Sequence, residues 1–264
     1  FIEQQVDYCI IEAGMGGRLD ATTALDHKAC LITNVGLDHT EYLGETFEQI
    51  AYEKSGVFKP NVPALTTEDK PECQKVMELV ADYMKTPLCF IDCQETDVLR
   101  WNGMTFHLNP PLYQAKNLSL ALETLNVLGI WLEENEIQQV IDHFQWAGRY
   151  MVLRKDPLVL LDGAHNVHGI TALTRSLKDF TGKIYFSVLK EKDAPHMIEL
   201  LQSISKDITL VEISSARLYP LENLGYPIIT VDELISRLLN TKEDSLLCGS
   251  LYYVGEVLEK WGNV

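Results

Sequence analysis

The sequence predicts an α/β protein built from two doubly wound domains with mainly parallel sheets, and three observations carry that prediction. Between Tyr8 and Pro60 two short β-rich runs, YCIIEAG and CLITNVG, each end at once in glycines and ionisable residues. Parallel strands look like this where they deliver side chains to a site at their carboxyl ends. From Arg149 onward, short apolar runs alternate with helix-length amphipathic segments, the signature of successive βα units. With 264 residues, 46% of them hydrophobic, the chain can bury one large core or two modest ones.

The first run reads as a strand closed by Glu12 and followed by the glycine turn GMGGRLDAT, whose backbone N–H groups are positioned to approach an anion. The second is followed by LDHTEYLG, with Asp38 and His39, and by a helical segment ending in EKSGVFKP. Glu12, His39 and Lys54 thereby fall in one compact unit able to hold a divalent cation and an anionic ligand. Taken singly, each is equally well explained as part of a solvated turn. Asn61 to Leu65 reads as a turn into a strand, and PECQKVMELVADYMKT as a helix with Val76, Leu79, Val80 and Tyr83 on its apolar face, ended by Pro87. Cys89 to Ile91 makes a short strand, and Leu99 to Leu108 a hairpin about Asn102-Gly103. Tyr113 to Ile130 is a helix stopped at Gly129, with Gln114 and Asn117 sharing a face at its start, and Glu133 to Phe144 is a second helix. The expected domains are 1–147 and 148–264, with the linker near Gly148 as a hinge. In the second domain strands are expected at MVLRKDPLVLLDG, KIYFSVL, ITLVEI and SLLCGS, with helices between and after them.

A formal charge of −16 excludes an ordinary nucleic-acid binder, which needs clustered Lys and Arg to displace counterions. A nucleotide substrate remains compatible with Arg18, Arg149, Lys190 and Lys192, each in or beside a glycine- or aspartate-bearing motif. No apolar run approaches the roughly 20 residues of a membrane span and no signal segment opens the sequence, so no membrane partner and a cytoplasmic location are expected. The six cysteines form no C-x-x-C pair and read as reduced thiols.

EAGMGGRLDAT, ITNVGLDHTEYLG and EKSGVFKP, followed in order by YQAKNLSLALETL, WAGRYMVL, LDGAHNVHG, SVLKEKD and GSLYYVGEV, resemble folylpolyglutamate synthase and the closely similar dihydrofolate synthase, members of the Mur ligase superfamily. The resemblance covers essentially the whole chain. It implies a partial P-loop-type ATPase domain plus a Rossmann-like C-terminal domain. The implied activity is an ATP-dependent amide ligase that joins L-glutamate to a folate or to dihydropteroate through an acyl phosphate, acting as a monomer. One departure is large: the family's phosphate-binding P-loop, G-x-x-x-x-G-K-S/T, is absent from these residues. The simplest expectation is that the chain is the C-terminal portion of a longer enzyme, inactive alone. A peptidoglycan-precursor Mur ligase and a non-catalytic nucleotide-binding fragment are the competing readings.

The resemblance also implies roles for particular residues. Glu12 and His39 hold Mg²⁺, and Lys54 is carbamylated, which turns a cation into an anionic oxygen ligand. On sequence alone an ordinary Lys54 paired with Glu53 or a phosphate fits as well. Asn117 helps hold the adenine; its amide offers a donor and an acceptor to a base edge. Asp162 contacts the ribose with His165 close to the nucleotide, at a strand-to-helix junction where open α/β sheets bind ligands. Arg149, just after Gly148, is suited to phosphates as a fork of donors. The base that deprotonates glutamate's ammonium is not assigned; Asp38 and Glu41 lie closest in sequence.

Overall fold

The computed structural model describes residues 2–262, which form two compact units. The first comprises residues up to 106 together with 114–134, and the second 107–113 together with 135–264. This division groups most of the helix at 134–143 with the second unit, where the boundary expected near 147 puts it with the first. One reason is local: the Gln138 side chain both accepts from the His107 N–H and donates to the His107 carbonyl.

The first unit is organised on three parallel strands, β1 (Cys30–Ile32), β2 (Ala64–Thr66) and β3 (Leu88–Phe90), in that spatial order. Between β1 and β2 lie α1 (Thr40–Leu43) and α2 (Phe47–Ser55), and between β2 and β3 lies α3 (Pro71–Met84). Thr46 and Gln49 close a capping box that fixes where α2 begins. Pro71 opens α3 at a position whose N–H would in any case lack a helical partner. Val35, Ile50, Ala51, Phe58, Ala64 and Met77 fill the core between sheet and helices. The face of α3 is rotated from the expected one: Cys73, Met77 and Ala81 are buried, while Leu79 and Tyr83 are exposed. A hairpin of β4 (Val98–Trp101) and β5 (Met104–His107) turns at Asn102 and Gly103, both at positive φ as a tight two-residue turn requires. Then come α4 (Gln114–Val127), stopped by Gly129 at positive φ, and α5 (Glu134–His143). The segment Tyr8–Glu12, expected as a strand, is irregular: no described strand pairs with it, and Tyr8, Ile10 and Ile11 are exposed.

The second unit is a six-stranded sheet in the order β10-β9-β8-β11-β7-β6. Its strands are β6 (Met151–Lys155), β7 (Leu158–Leu161), β8 (Lys183–Phe186), β9 (Ile208–Glu212), β10 (Ile228–Thr230) and β11 (Ser245–Cys248). All neighbours are parallel except β6 and β7, which form a hairpin about Asp156-Pro157. The single strand expected over 151–163 is therefore two, because the proline and its neighbours turn the chain. Alternation along the strands divides the core in two. Leu160, Ile184, Phe186, Leu210, Leu246 and Cys248 face α6 (Val167–Ser176) and α7 (Ala194–Leu201). Val159, Leu161, Tyr185, Val211, Ile229 and Leu247 face α8 (Val231–Asn240) and α9 (Leu251–Trp261). The chain runs outward from β7 through β8 and β9 to β10, then returns to insert β11 between β7 and β8. Among the described residues no helix is long and apolar enough to cross a membrane, and all six cysteines are free thiols.

Candidate functional site

In the first unit the glycine turn is organised by Asp20. Its carboxylate accepts the N–H groups of Gly14 and Met15 at 2.8 and 3.1 Å, and the N–H and hydroxyl of Thr22 at 2.9 and 2.7 Å. These bonds, that of the Thr22 hydroxyl foremost, hold the Asp20 carboxyl down to about 2. The Gly14 and Met15 donors, expected to face an anion, are thus committed within the loop. The glycines serve packing instead. A Cβ on Gly17 would lie 2.7 Å from the Lys54 carbonyl oxygen, and one on Gly56 would collide with the backbone of Arg18. Arg18 completes the attachment: its N–H donates to the Glu53 carbonyl at 2.8 Å, its guanidinium pairs with the Glu53 carboxylate at 2.8 Å and lies over the Tyr52 ring.

The turn that follows Glu12 is thereby fastened to the last turn of α2, which carries Lys54. Lys54 is half-buried, and desolvation lowers its pKa against the opposing attraction of Asp38. Asp38 is in electrostatic reach of Lys54 and also accepts the His39 N–H at 2.9 Å. His39 is exposed and left-handed, at φ 51°, where it starts α1. Glu12 is exposed two residues ahead of Gly14. The structure thus unites Lys54, Asp38 and the glycine turn, with His39 and Glu12 at the ends of the two loops. Asn117 is exposed in the first turn of α4 and donates to the Gln114 side chain at 2.9 Å, the shared face expected.

Among the described residues no three His, Cys, Asp or Glu side chains converge as a ready cation cage. An exposed carboxylate and an imidazole suit a Mg²⁺ ion that keeps waters and phosphates as most of its ligands, whereas an unmodified Lys54 ammonium would repel it. They do not suit a cation caged by protein alone.

In the second unit Asp162 follows β7 and is buried, at 3% exposure. One carboxylate oxygen accepts the Tyr150 N–H and the other the Ala164 N–H, each at 2.7 Å. Burial raises its pKa from the ordinary value more than those bonds and the nearby Arg149 and His165 lower it. Gly163 donates to the Gly148 carbonyl at 2.7 Å, and a Cβ on Gly163 would lie 2.7 Å from Arg149 Nη1. Glycine at 163 therefore lets the guanidinium lie against the strand end. His165 Nδ1 is 2.8 Å from the Gly163 carbonyl, which can only accept, so Nδ1 carries the proton. Arg149, Asp162 and His165 are gathered at the carboxyl end of β7.

The middle domain of Mur ligases matches residues 1–108 of the chain. The dihydrofolate synthase/folylpolyglutamate synthase of Buchnera aphidicola subsp. Schizaphis graminum is 29% identical over 98% of this chain and 67% of its own length. The similarity to these synthases runs along nearly the whole chain. Among solved structures, the chain resembles Escherichia coli FolC in complex with ADP, without folate substrate, at 26% identity and a TM-score of 0.81, over 95% of this chain and 66% of that one. It also resembles a bifunctional folylpolyglutamate synthase/dihydrofolate synthase with Mn, AMPPNP and L-glutamate bound, at 26% identity and a TM-score of 0.80, over 95% and 66%. It spans about two thirds of the length of these relatives.

Several residues near these loops carry little signal in the sequence. Tyr113 and Tyr150 lie near Asp162, and burial raises the pKa of both. Asp20 was visible only as D-x-T, a short signal for a side chain that caps its own turn. Tyr252 is exposed beneath the Arg217 guanidinium, whereas its neighbour Tyr253 is fully buried.

Proposed function

We propose that this chain carries the amide-ligase chemistry of the folylpolyglutamate and dihydrofolate synthases, joining L-glutamate to a folate or to dihydropteroate at the expense of ATP. The observation that carries the reading is the placement of its ionisable residues. In the second unit Arg149, Asp162 and His165 gather at the carboxyl end of β7, where open α/β sheets take ligands. In the first unit the loop after β1 carries Asp38 and His39, with Asp38 in electrostatic reach of Lys54. The known relatives, similar along nearly all of the chain, support the same reading.

In the reaction a carboxylate oxygen of the acceptor attacks the γ-phosphorus of ATP, ADP departs, and an acyl phosphate forms. The neutral amine of glutamate then attacks the acyl carbon, phosphate leaves and an amide remains. Phosphoryl transfer of this kind depends on positioning and on neutralising charge. Arg149 would supply a fork of donors to phosphate oxygens. Each Asp162 oxygen takes one backbone N–H and keeps a second lone pair for a ribose hydroxyl. His165, held by Gly163, would stand beside the nucleotide, and Asn117 would offer its amide to the adenine edge. Glu12 and His39, with a carbamylated Lys54, would hold Mg²⁺, which supplies charge neutralisation on the phosphates. The free thiols fit a reducing, cytoplasmic setting.

The test is ATP-dependent incorporation of labelled glutamate into dihydropteroate and into tetrahydrofolate. It is run with this chain and with the product of the longest reading frame that contains it. Glu12→Gln and His39→Ala should each lower turnover by about 100-fold or more, the scale of a lost preorganised electrostatic contact. Near-normal turnover in either variant would remove that residue from the metal site. No glutamate incorporation by any form, with nucleotide still bound, would leave a binding protein in place of a ligase.

A further inference from the structure

Beyond the last paired residues of β1 and β2, Ile32 and Thr66, the two chains continue side by side with no backbone ladder. Side chains take its place. Thr67 donates its hydroxyl to the Thr33 carbonyl at 2.7 Å. Glu68, with its side chain fully buried, accepts the Val35 N–H on one oxygen, and on the other the N–H and ammonium of Lys70 at 2.8 and 3.0 Å. The Lys70 ammonium in turn donates to the Val35 carbonyl at 2.9 Å and lies over the Phe47 ring. Both backbone groups of Val35, itself fully buried, are thus held by one ion pair. The 66–74 segment is fixed from its own side, since Gln74 donates to the Glu68 carbonyl and Thr66 accepts the Glu68 N–H.

Burying the Glu68 carboxylate costs several kcal/mol before its attraction to the partly exposed Lys70 ammonium is counted, and apolar replacements of buried pairs are often neutral or stabilising. An ion pair here is therefore explained better by what it aligns than by stability. Val35 lies three residues before Asp38 and four before His39. We propose that Glu68 and Lys70 are positioning residues that clasp Val35 and so set the loop 33–39 that presents Asp38 and His39. The inference rests on the proposed role of His39 and adds two residues that touch no substrate.

The test compares the unaltered chain with Glu68→Gln, which keeps shape and an acceptor but loses the charge, with Lys70→Met, which keeps the stem and loses the donor, and with His39→Ala. Mn²⁺ binding in the presence of ADP is followed by electron paramagnetic resonance, alongside thermal melting and amide hydrogen exchange. Outer partners that orient metal ligands typically change affinity 10–100-fold when altered. Both clasp variants should weaken Mn²⁺ binding by about that factor and speed exchange at residues 35–40, while α2 and α3 keep their protection. If His39→Ala weakens binding and neither clasp variant does, the proposal is overturned. If His39→Ala leaves binding intact, or the unaltered chain binds no Mn²⁺, the reading of His39 is what fails. The clasp is then decided by exchange, where unchanged protection at 35–40 overturns it. If one clasp variant does not fold, the other carries the same comparison.

Discussion

Asp162 is a carboxylate placed where its charge is costly, with burial outweighing two 2.7 Å backbone bonds and the neighbouring Arg149 and His165. Its folded-state pKa stands above the ordinary 3.8, so the folded chain holds the proton more tightly than the unfolded one. The stability of the protonated form is fully present below the unfolded value and is lost as pH rises through the raised folded value. Asp162→Asn should therefore show two effects. The amide's NH₂ would face one of the two N–H donors and cost about 1–3 kcal/mol, as an unmade buried hydrogen bond does. The gap in melting temperature from the unaltered protein should be widest near pH 4 and narrow toward pH 7, because only the unaltered protein loses stability across that window. A gap that widens with pH would mean that the N–H bonds, not burial, set the pKa. Asp162, Arg149 and His165 were legible as residues because a strand-to-helix junction is a local pattern. The work of Asp20 was not, since the Met15 and Gly14 N–H groups it captures lie five and six residues upstream, and sequence does not say whether a ligand or a side chain fills them.

At the scale of elements, the first unit depends on how closely the glycine turn lies against α2. Gly56 has an ordinary helical φ of −61°, so its requirement is purely steric: a methyl group there meets the backbone of Arg18, which cannot swing aside as a side chain would. Gly56→Ala should destabilise by about 1–3 kcal/mol, the usual scale of overpacking. Gly255→Ala, in α9 with nothing within 4 Å of the added carbon, should instead stabilise by about 0.5–1 kcal/mol by removing a helix-interior glycine. Chemical denaturation of both variants checks the pair, and equal effects would refute the packing argument. Elements with their own local signal were readable: the Asn102-Gly103 hairpin, the stop at Gly129, and the helices of the second unit. Those that depend on a distant partner were not. Tyr8–Glu12 has the composition of a strand but no described strand beside it. β10 is only three residues, too short to stand out from the loop before it. The face of α3 was misread because Leu79 and Tyr83 fit the helical period as well as Cys73 and Met77 do, and only packing chose between them.

For the molecule as a whole, 38 acidic residues against 22 basic ones leave 16 negative charges without a formal partner. The described exposed pairs, such as Lys183 with Asp207 and Lys116 with Asp69, contribute about 0–1 kcal/mol each. Salt weakens such pairs, but it also weakens repulsion among the unmatched carboxylates, and the two effects oppose each other. The paired contacts are few and short in range, whereas repulsion extends over a Debye length of about 30 Å at 0.01 M salt, shortened to about 10 Å at 0.1 M. Repulsion should therefore dominate at low ionic strength, where it favours the expanded chain. Raising sodium chloride from about 0.01 M to about 0.1 M should lift the melting temperature by about 2–4 °C, equivalent to roughly 1 kcal/mol for a protein of this size. A melting temperature that falls over the same range would mean that the ion pairs outweigh the acidic excess. Differential scanning calorimetry at fixed pH 7.5 distinguishes the two, and a Glu→Gln series at exposed positions should reproduce the rise at low salt and lose it at high salt.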